Sequence, residues 1–488
     1  MGEKSIFELS RRGRRGYSLP PVDVPTKRTT ELLPEVQLRH QAPVLPEVSE
    51  VDVARHFVRV SQLNHHVLKA FYPLGSCTMK YNPIVNEYVA RDPQFVDLHP
   101  LQPEDSIQGA LELMYELGKI LCKLSGMDEI TLQPAAGAHG ELTGIMIMRA
   151  YHESRGNPRT EIVIPDSAHG TNPASVHMGG YDVREIRSSA DGLVDVDALR
   201  AAMTEQVAGM MLTNPNTLGL FDSRVSEICS IVHSKGALIY LDGANLNALC
   251  GINSPGQDGF DIVHFNLHKT FSTPHGGGGP GSGPLGVKRN LTQFLPIPVV
   301  RKRGGEYYLD YDLSHSVGKV HSFYGNFNVM VKAYAYLRMM GAEGLREMSE
   351  CAVINANYVM RSLQDLYHVP YPQHCMHECI LSAKLQKSKG VRTLDIAKRL
   401  LDYGVHAPTI YFPLIVPEAL MIEPTESESK ESCDQFIDAM RAIAREVEES
   451  PEVVKSAPHS TPVGRLDEVR AARELDIRWT PGGNSGSL

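Results

Sequence analysis

Lys269 follows a short apolar run, Ile262-Val263-His264-Phe265, in the stretch Asn266-Leu267-His268-Lys269-Thr270. A lysine at the end of a buried strand is partly desolvated. Desolvation favours the neutral amine, which is the form that attacks carbonyls. On its own such a lysine is more often a surface residue in a loop. Asp242 stands 27 residues earlier and ends another apolar run, in Tyr240-Leu241-Asp242-Gly243-Ala244. An aspartate that pairs with a pyridinium nitrogen and a lysine that forms a Schiff base are the two groups pyridoxal phosphate asks of a protein. Asp242 alone reads more often as a turn or helix-cap residue.

Two further stretches fit the same cofactor. Gln133-Pro134-Ala135-Ala136-Gly137-Ala138-His139-Gly140-Glu141 falls between an expected strand and an expected helix. Small residues there let backbone N–H groups approach an anion at the helix N-terminus, and a phosphate fits; a plain tight turn is the alternative. His169, in Ser167-Ala168-His169-Gly170-Thr171-Asn172, follows the strand expected at 161–164. Its flat imidazole suits stacking on a pyridine ring, although a lone loop histidine is more often simply hydrogen-bonded. All four features fall at strand ends, and together they favour one pyridoxal phosphate site.

The elements that must position them follow from periodicity. Leu113, Leu117, Ile120, Leu121 and Leu124 share one face of a helix expected over 112–124. Strands are expected at 129–132, 161–164, 208–212, 237–241 and 262–265, with helices at 141–151, 199–203 and 225–234 between them. This alternation predicts an α/β domain with a mainly parallel sheet, where ligands sit at the carboxyl ends of strands. Residues 1–105 are rich in proline and read as an extended arm around a partner, with one short helix near 52–66. The expected division is this arm, a large cofactor domain over 106–345, a smaller C-terminal domain over 346–480, and a disordered tail over 481–488.

Composition excludes several function classes. The 488 residues are 42% hydrophobic and 22% charged, which excludes a largely disordered chain and is long enough for two or three domains. The net charge of −9 argues against non-specific nucleic-acid binding. No apolar run is long enough to span a membrane. Eight scattered cysteines suit a reducing compartment. Arg11, Arg12, Arg14 and Arg15 lie close after Glu3 and Glu8 and are followed by Pro20-Pro21, unlike a transit peptide, and no signal-peptide core is seen. A cytoplasmic protein is expected.

Almost end to end, the chain resembles the glycine cleavage system P-proteins in their split, two-subunit form. The resemblance is carried by Phe7-Glu8-Leu9-Ser10, Gly16-Tyr17-Ser18-Leu19-Pro20 and, above all, Pro73-Leu74-Gly75-Ser76-Cys77-Thr78-Met79-Lys80. It continues through Asn214-Pro215-Asn216-Thr217, Asp242-Gly243-Ala244-Asn245, His268-Lys269-Thr270, Ser322-Phe323-Tyr324-Gly325-Asn326-Phe327 and residues 412–425. It implies the type I fold of pyridoxal phosphate-dependent transferases. It implies Lys269 as the cofactor lysine, Asp242 as the pyridinium partner and His169 as the stacking residue. Gly137, Ala138 and His139 are implied at the phosphate, with Ala244 and Thr217 nearby and Ser76, Cys77 and Thr78 toward the substrate.

The implied reaction is decarboxylation of glycine with transfer of the aminomethyl group to the lipoyl arm of H-protein. The implied partners are that H-protein and a subunit 1 without the lysine, in a two-plus-two heterotetramer. Asn328 stands where similar proteins are expected to carry glycine.

Other signals weigh less. His374-Cys375-Met376-His377-Glu378-Cys379 matches no common zinc spacing, so no metal is expected. The glycine run 276–283 lacks the strand–turn–helix context of a dinucleotide fingerprint and reads as a mobile loop. Cys77 reads by default as an inert thiol, and His268 as a weak candidate for proton transfer. Competing functions are another pyridoxal phosphate enzyme, such as an aminotransferase or amino-acid decarboxylase, and a non-catalytic scaffold. No arginine stands out for a second substrate carboxylate, and the presence of both Lys269 and Asp242 argues against a scaffold.

Overall fold

The computed structural model describes residues 3–41, 43–275, 279–477 and 479. The tail expected to be disordered lies outside the described residues, as do positions 276–278 of the glycine run. The chain forms two compact units: Met1–His66 with Ser460–Leu488, and Val67–His459.

In the first unit the main element is the helix Glu50–Gln62. It begins where Ser49 accepts from the Asp52 N–H and the Asp52 carboxylate accepts from the Ser49 N–H, a reciprocal cap that satisfies two otherwise unpaired donors. Large apolar side chains of this unit stay exposed, among them Tyr17, Leu19 and Val36.

The second unit holds a seven-stranded sheet. Its strands are β1 (Glu129–Thr131), β2 (Glu161–Pro165), β3 (Asp182–Ile186), β4 (Val207–Thr213), β5 (Leu238–Gly243), β6 (Ile262–Phe265) and β7 (Leu285–Val287). Their order is β1-β7-β6-β5-β4-β2-β3. The run from β6 to β3 is parallel, and β7 is antiparallel to both of its neighbours. The central strands β4, β5 and β6 are buried at every position, because helices cover both faces. The helix Gln108–Ser125 packs Leu111, Leu117 and Leu121 into one core and ends at Gly126, whose φ of +71° suits the left-handed cap.

A hairpin of β8 (Val299–Arg303) and β9 (Glu306–Asp310) follows. The helix Phe327–Leu363 comes next and breaks at Gly341, where φ is +62°. A three-stranded antiparallel sheet then forms from β10 (Cys379–Ser382), β11 (Thr409–Ile410) and β12 (Ala419–Ile422), in the order β10-β12-β11. The helix Lys430–Glu449 buries Phe436, Met440 and Ile443 in the core of this C-terminal region. Among the described residues, no helix is long and apolar enough to cross a membrane.

The proline-rich segment departs from an extended arm. Residues 67–105 belong to the sheet-bearing unit and include the helices Ile84–Ala90 and Pro93–Val96. The physical reason is burial: Phe71, Thr78, Lys80 and Asn86 are all removed from water there. Asn328 has a local task in the same region, since its Nδ2 donates to the Ala90 carbonyl over 2.8 Å and closes the C-terminal end of Ile84–Ala90.

Candidate active site

Lys269 sits on a single helical turn, Leu267–Thr270, directly after β6. Its Nζ donates to the Ser76 carbonyl over 2.8 Å. Among the described residues it makes no ion pair with a carboxylate. Because this segment is a helical turn and not extended chain, His268 does not simply point away from the lysine. It is held by the Ser282 N–H, which donates to His268 Nδ1 over 3.1 Å. Burial, then the nearby Lys269 charge, lowers His268 to about 3, so it stays neutral near pH 7 and is a poor proton carrier there.

Asp242 is the penultimate residue of β5 and is buried. Its Oδ2 accepts from Asn172 Nδ2 and its Oδ1 from the Ala244 N–H, each over 3.0 Å. His264 Nε2 lies 3.5 Å from Oδ1, and its Nδ1 meets the Tyr240 hydroxyl at 2.7 Å. Burial works to raise the Asp242 carboxyl, but His264, His169 and the two N–H donors outweigh it and hold it below the usual range. A buried carboxylate kept ionised in this way fits a protonated ring nitrogen.

His169 is half-buried. Its Nδ1 lies 2.8 Å from Thr171 Oγ1, which donates to Glu141 Oε1 over 2.7 Å. Ser175 donates to the other oxygen of Glu141 over 2.8 Å, so the helix Gly137–Ser154 anchors the loop that carries the imidazole. Burial first, and Lys269 among its charged neighbours, lowers the His169 pKa.

The helix Gly137–Ser154 has no side-chain cap at its N-terminus. A Cβ on Gly137 would lie 2.5 Å from Asn266 Oδ1, and one on Gly283 would collide with the Ala136 carbonyl. Ser282 Oγ is buried beside this turn with no hydrogen-bond partner among the described residues. Uncapped N–H groups, a glycine-lined turn and an orphaned hydroxyl donor fit a phosphate group. The His139 ring is tied to its own turn, because its Nδ1 accepts from the Ala135 N–H over 3.2 Å. Ala138 is exposed on the same turn. Thr217 is buried and spends its hydroxyl on the Ser167 carbonyl, 2.6 Å away.

The Ser76-Cys77-Thr78 segment meets Lys269 from residues far away in the chain. Ser76 and Thr78 have φ of +64° and +47°, in the left-handed region that side chains other than glycine rarely occupy. Glu378 Oε2 accepts from the Ser76 N–H over 2.8 Å, and Glu423 Oε2 accepts from the Thr78 N–H over 3.0 Å. Lys80 is buried, with Nζ 2.8 Å from Glu426 Oε1 and 2.7 Å from the Thr270 carbonyl beside Lys269. Burial raises the Cys77 thiol, so it stays protonated and unreactive.

Sequence reasoning assigned no role to Asn172, Glu141, Glu378 or Glu423, and reached Lys80 only as the end of the 76–80 segment that the resemblance offers for polar contacts to the substrate. Glu378 stood in the His374–Cys379 stretch weighed only as a zinc site. Glu423 stood in the 412–425 stretch, whose pairing with residues near 76 no local pattern reveals.

Comparison with known proteins fits this geometry. Residues 25–302 match the family model "Glycine cleavage system P-protein", and 348–461 match "Glycine dehydrogenase, C-terminal domain". A protein of Caldanaerobacter subterraneus subsp. tengcongensis named "Probable glycine dehydrogenase (decarboxylating) subunit 2" is 60% identical over 97% of this chain and 98% of its own length. The crystal structure of an inhibitor-bound glycine decarboxylase (P-protein) superposes with a TM-score of 0.74 at 19% identity, covering 85% of this chain and 95% of that one. Lactobacillus brevis glutamate decarboxylase superposes with a TM-score of 0.65 at 15% identity, covering 87% and 98%. These two structures share the type I fold of pyridoxal phosphate enzymes. The chain belongs to the glycine cleavage system P-protein family, pyridoxal phosphate enzymes that decarboxylate glycine and pass its aminomethyl group to the lipoyl arm of H-protein.

Proposed function

We propose that Lys269 is the residue that binds the cofactor covalently, that Asp242 faces its ring nitrogen, and that His169 lies against its ring. Gly137, Ala138 and His139 would hold the phosphate, with Ala244 and Thr217 framing the pocket. The observation that carries this reading is the placement of the Lys269 amine at the end of β6, in the same sheet end as an ionised, buried Asp242.

Bound there, pyridoxal phosphate supplies an electron sink for the pair left when carbon dioxide departs. Asp242 holds the proton on the ring nitrogen, which keeps that sink strong. Asn172 and the Ala244 N–H fix the carboxylate in place. Ser76, Cys77 and Thr78 would lie on the substrate side, where the Ser76 carbonyl meets the Lys269 amine. Ser76 orients the free lysine amine through its carbonyl.

The chain is proposed to work in the cytoplasm with a separate subunit 1, as two plus two chains, and to act on a lipoylated H-protein. The apolar side chains exposed on the first unit, Tyr17, Leu19 and Val36, support a surface that another subunit covers. The test is glycine–bicarbonate exchange with lipoylated H-protein, with and without subunit 1, while the visible band of the bound cofactor is followed. Exchange that needs subunit 1 and vanishes together with the band in Lys269→Ala supports the reading. A band without exchange in either condition points to another reaction of the same fold.

A further inference from the structure

Glu378 immediately precedes β10 and Glu423 immediately follows β12. These strands pair antiparallel with Cys379 opposite Ile422, so the next residues outward, Glu378 and Glu423, come side by side. Oxygens of both carboxyls and a ring nitrogen of His377 lie within 4.8 Å of one another. Both glutamates are buried, and among the described residues neither pairs with a lysine or arginine. Two like charges directly opposite each other in a sheet are destabilising, and burial magnifies the repulsion. We infer that Glu378 and Glu423 hold one proton between them and that this pair supplies the proton taken up by the sulfur that leaves the lipoyl disulfide. The inference rests on the assignment of the Lys269 site given above.

The hydrogen bonds decide which oxygen carries the proton. Glu423 accepts from the Thr78 N–H, from the Thr78 hydroxyl at 2.5 Å and from Asn247 Nδ2 at 3.2 Å, a donor set that suits the ionised form. Glu378 accepts only from the Ser76 N–H, and its Oε1 has no partner. The proton therefore rests on Glu378 Oε1. Burial, then the Glu423 charge, pushes Glu378 well above the ordinary carboxyl range, and burial raises Glu423 to about 7. The groups facing the pair are Lys269, Cys77, Cys375, Cys379, His377, and Glu426 with its partner Lys80. Of these, burial lowers His377 to about 3, so it adds no charge near pH 7. A metal is a poor alternative, because three of the four carboxylate oxygens already accept hydrogen bonds from the 76–78 segment.

The reaction needs such a proton. Carbon dioxide leaves zwitterionic glycine, and the electron pair of the broken C–C bond forms the new C–S bond. The S–S bond breaks and its pair stays on the second sulfur. The lipoyl disulfide is the oxidant and is reduced. Charge balance from zwitterionic glycine to the aminomethyl ammonium product leaves one proton to be added, and it ends on that second sulfur as a thiol. The pair stands one residue away from the reacting lysine: Ser76 gives its carbonyl to Lys269 and its N–H to Glu378.

The test uses the full chain with its cofactor and subunit 1. Infrared difference spectra at neutral pH should show the carbonyl stretch of a neutral carboxylic acid that Glu378→Gln removes. H-protein-dependent exchange should fall by about a hundredfold in that variant, the loss of one acid–base group, and its alkaline limb should move. Glu423→Gln should lower the pH at which Glu378 loses its proton, because the repelling charge is gone; it gives a second reading if Glu378→Gln fails to fold. A neutral-acid band that neither substitution touches, or an unchanged pH profile in both, overturns the inference. Lys269→Ala is run beside them. Exchange that survives in Lys269→Ala overturns the site assignment itself, whereas loss there with an unaffected Glu378→Gln overturns only the proton role.

Discussion

The Lys269 amine and the Ser76 carbonyl meet at 2.8 Å although 193 residues separate them. Ser76 reaches this position only through a left-handed backbone, and Thr78 repeats the distortion two residues later. Such residues are each strained by about 1–3 kcal/mol. The bonds to Glu378 and Glu423 offset that strain, so a segment without regular structure is fixed where the lysine needs it.

Gly75 makes this arrangement possible, because its N–H donates to the Met421 carbonyl over 3.3 Å and a Cβ would lie 2.7 Å from the same oxygen. Gly75→Ala must push the segment off β12. We expect a loss of about 1–3 kcal/mol in stability, the usual cost of overpacking, together with reduced exchange. Gly109→Ala is the control, since a Cβ there meets no atom within 4 Å beyond its own helix backbone. Chemical denaturation of both variants decides; equal stabilities would show that the segment moves freely.

Lys80 holds the other end of the segment. Its ion pair with Glu426 is buried on the lysine side, and Lys80→Met leaves Glu426 without its partner. A loss of about 3–5 kcal/mol is expected, the range for half a buried pair. The double variant Lys80→Met with Glu426→Met should recover part of it. A double variant as unstable as the sum of the single ones would mean the two side chains act independently.

Much of the fold is readable in the sequence, because strand and helix periods are local. Strands β2, β4, β5 and β6 fall where their apolar runs predict, and Lys269 and Asp242 fall at strand ends as the pattern requires. The region around Ser76 is not readable in that way. Its conformation depends on Glu378, Met421 and Glu423, and contacts over more than 300 residues leave no periodic trace. Residues 67–105 look irregular for the same reason: prolines break their periodicity, while their burial is set by the sheet-bearing unit they join. The reciprocal failure is His268, where a helical turn replaced the extended geometry that its sequence neighbours suggest.

A pH effect on stability is expected from His233, whose Nε2 lies 2.8 Å from Asp261 Oδ2. The bond to Asp261 raises its pKa, and partial burial opposes that rise. A raised folded-state value means the contribution is complete below the ordinary histidine pKa and is lost as pH climbs through the raised one. The side chain is 41% exposed, so solvent screening limits the effect to about 1 kcal/mol or less. His233→Asn should therefore be less stable than the parent in mild acid and nearly equal to it in mild alkali, by thermal unfolding at both pH values. A difference that grows with pH would reverse the sign and refute the pairing.

Asp242→Asn separates electrostatics from shape most directly, since the amide fills nearly the same space but carries no charge. Two hydrogen bonds, from Asn172 and Ala244, can still be accepted in part, so the fold should persist. What is lost is the buried negative charge that, in the proposed site, would keep the ring nitrogen protonated. Removing one such preorganised charge should lower glycine–bicarbonate exchange by about a hundredfold or more. The depressed carboxyl gives a second, independent reading. Its contribution to stability is present above the ordinary aspartate pKa and disappears only as pH falls through the lowered value. The parent should thus retain its cofactor band through the ordinary carboxylate range on acidification, while Asp242→Asn should show a weaker and shifted band already at neutral pH. An unshifted band with unchanged exchange would remove Asp242 from the site and leave Lys269 without its electrostatic partner.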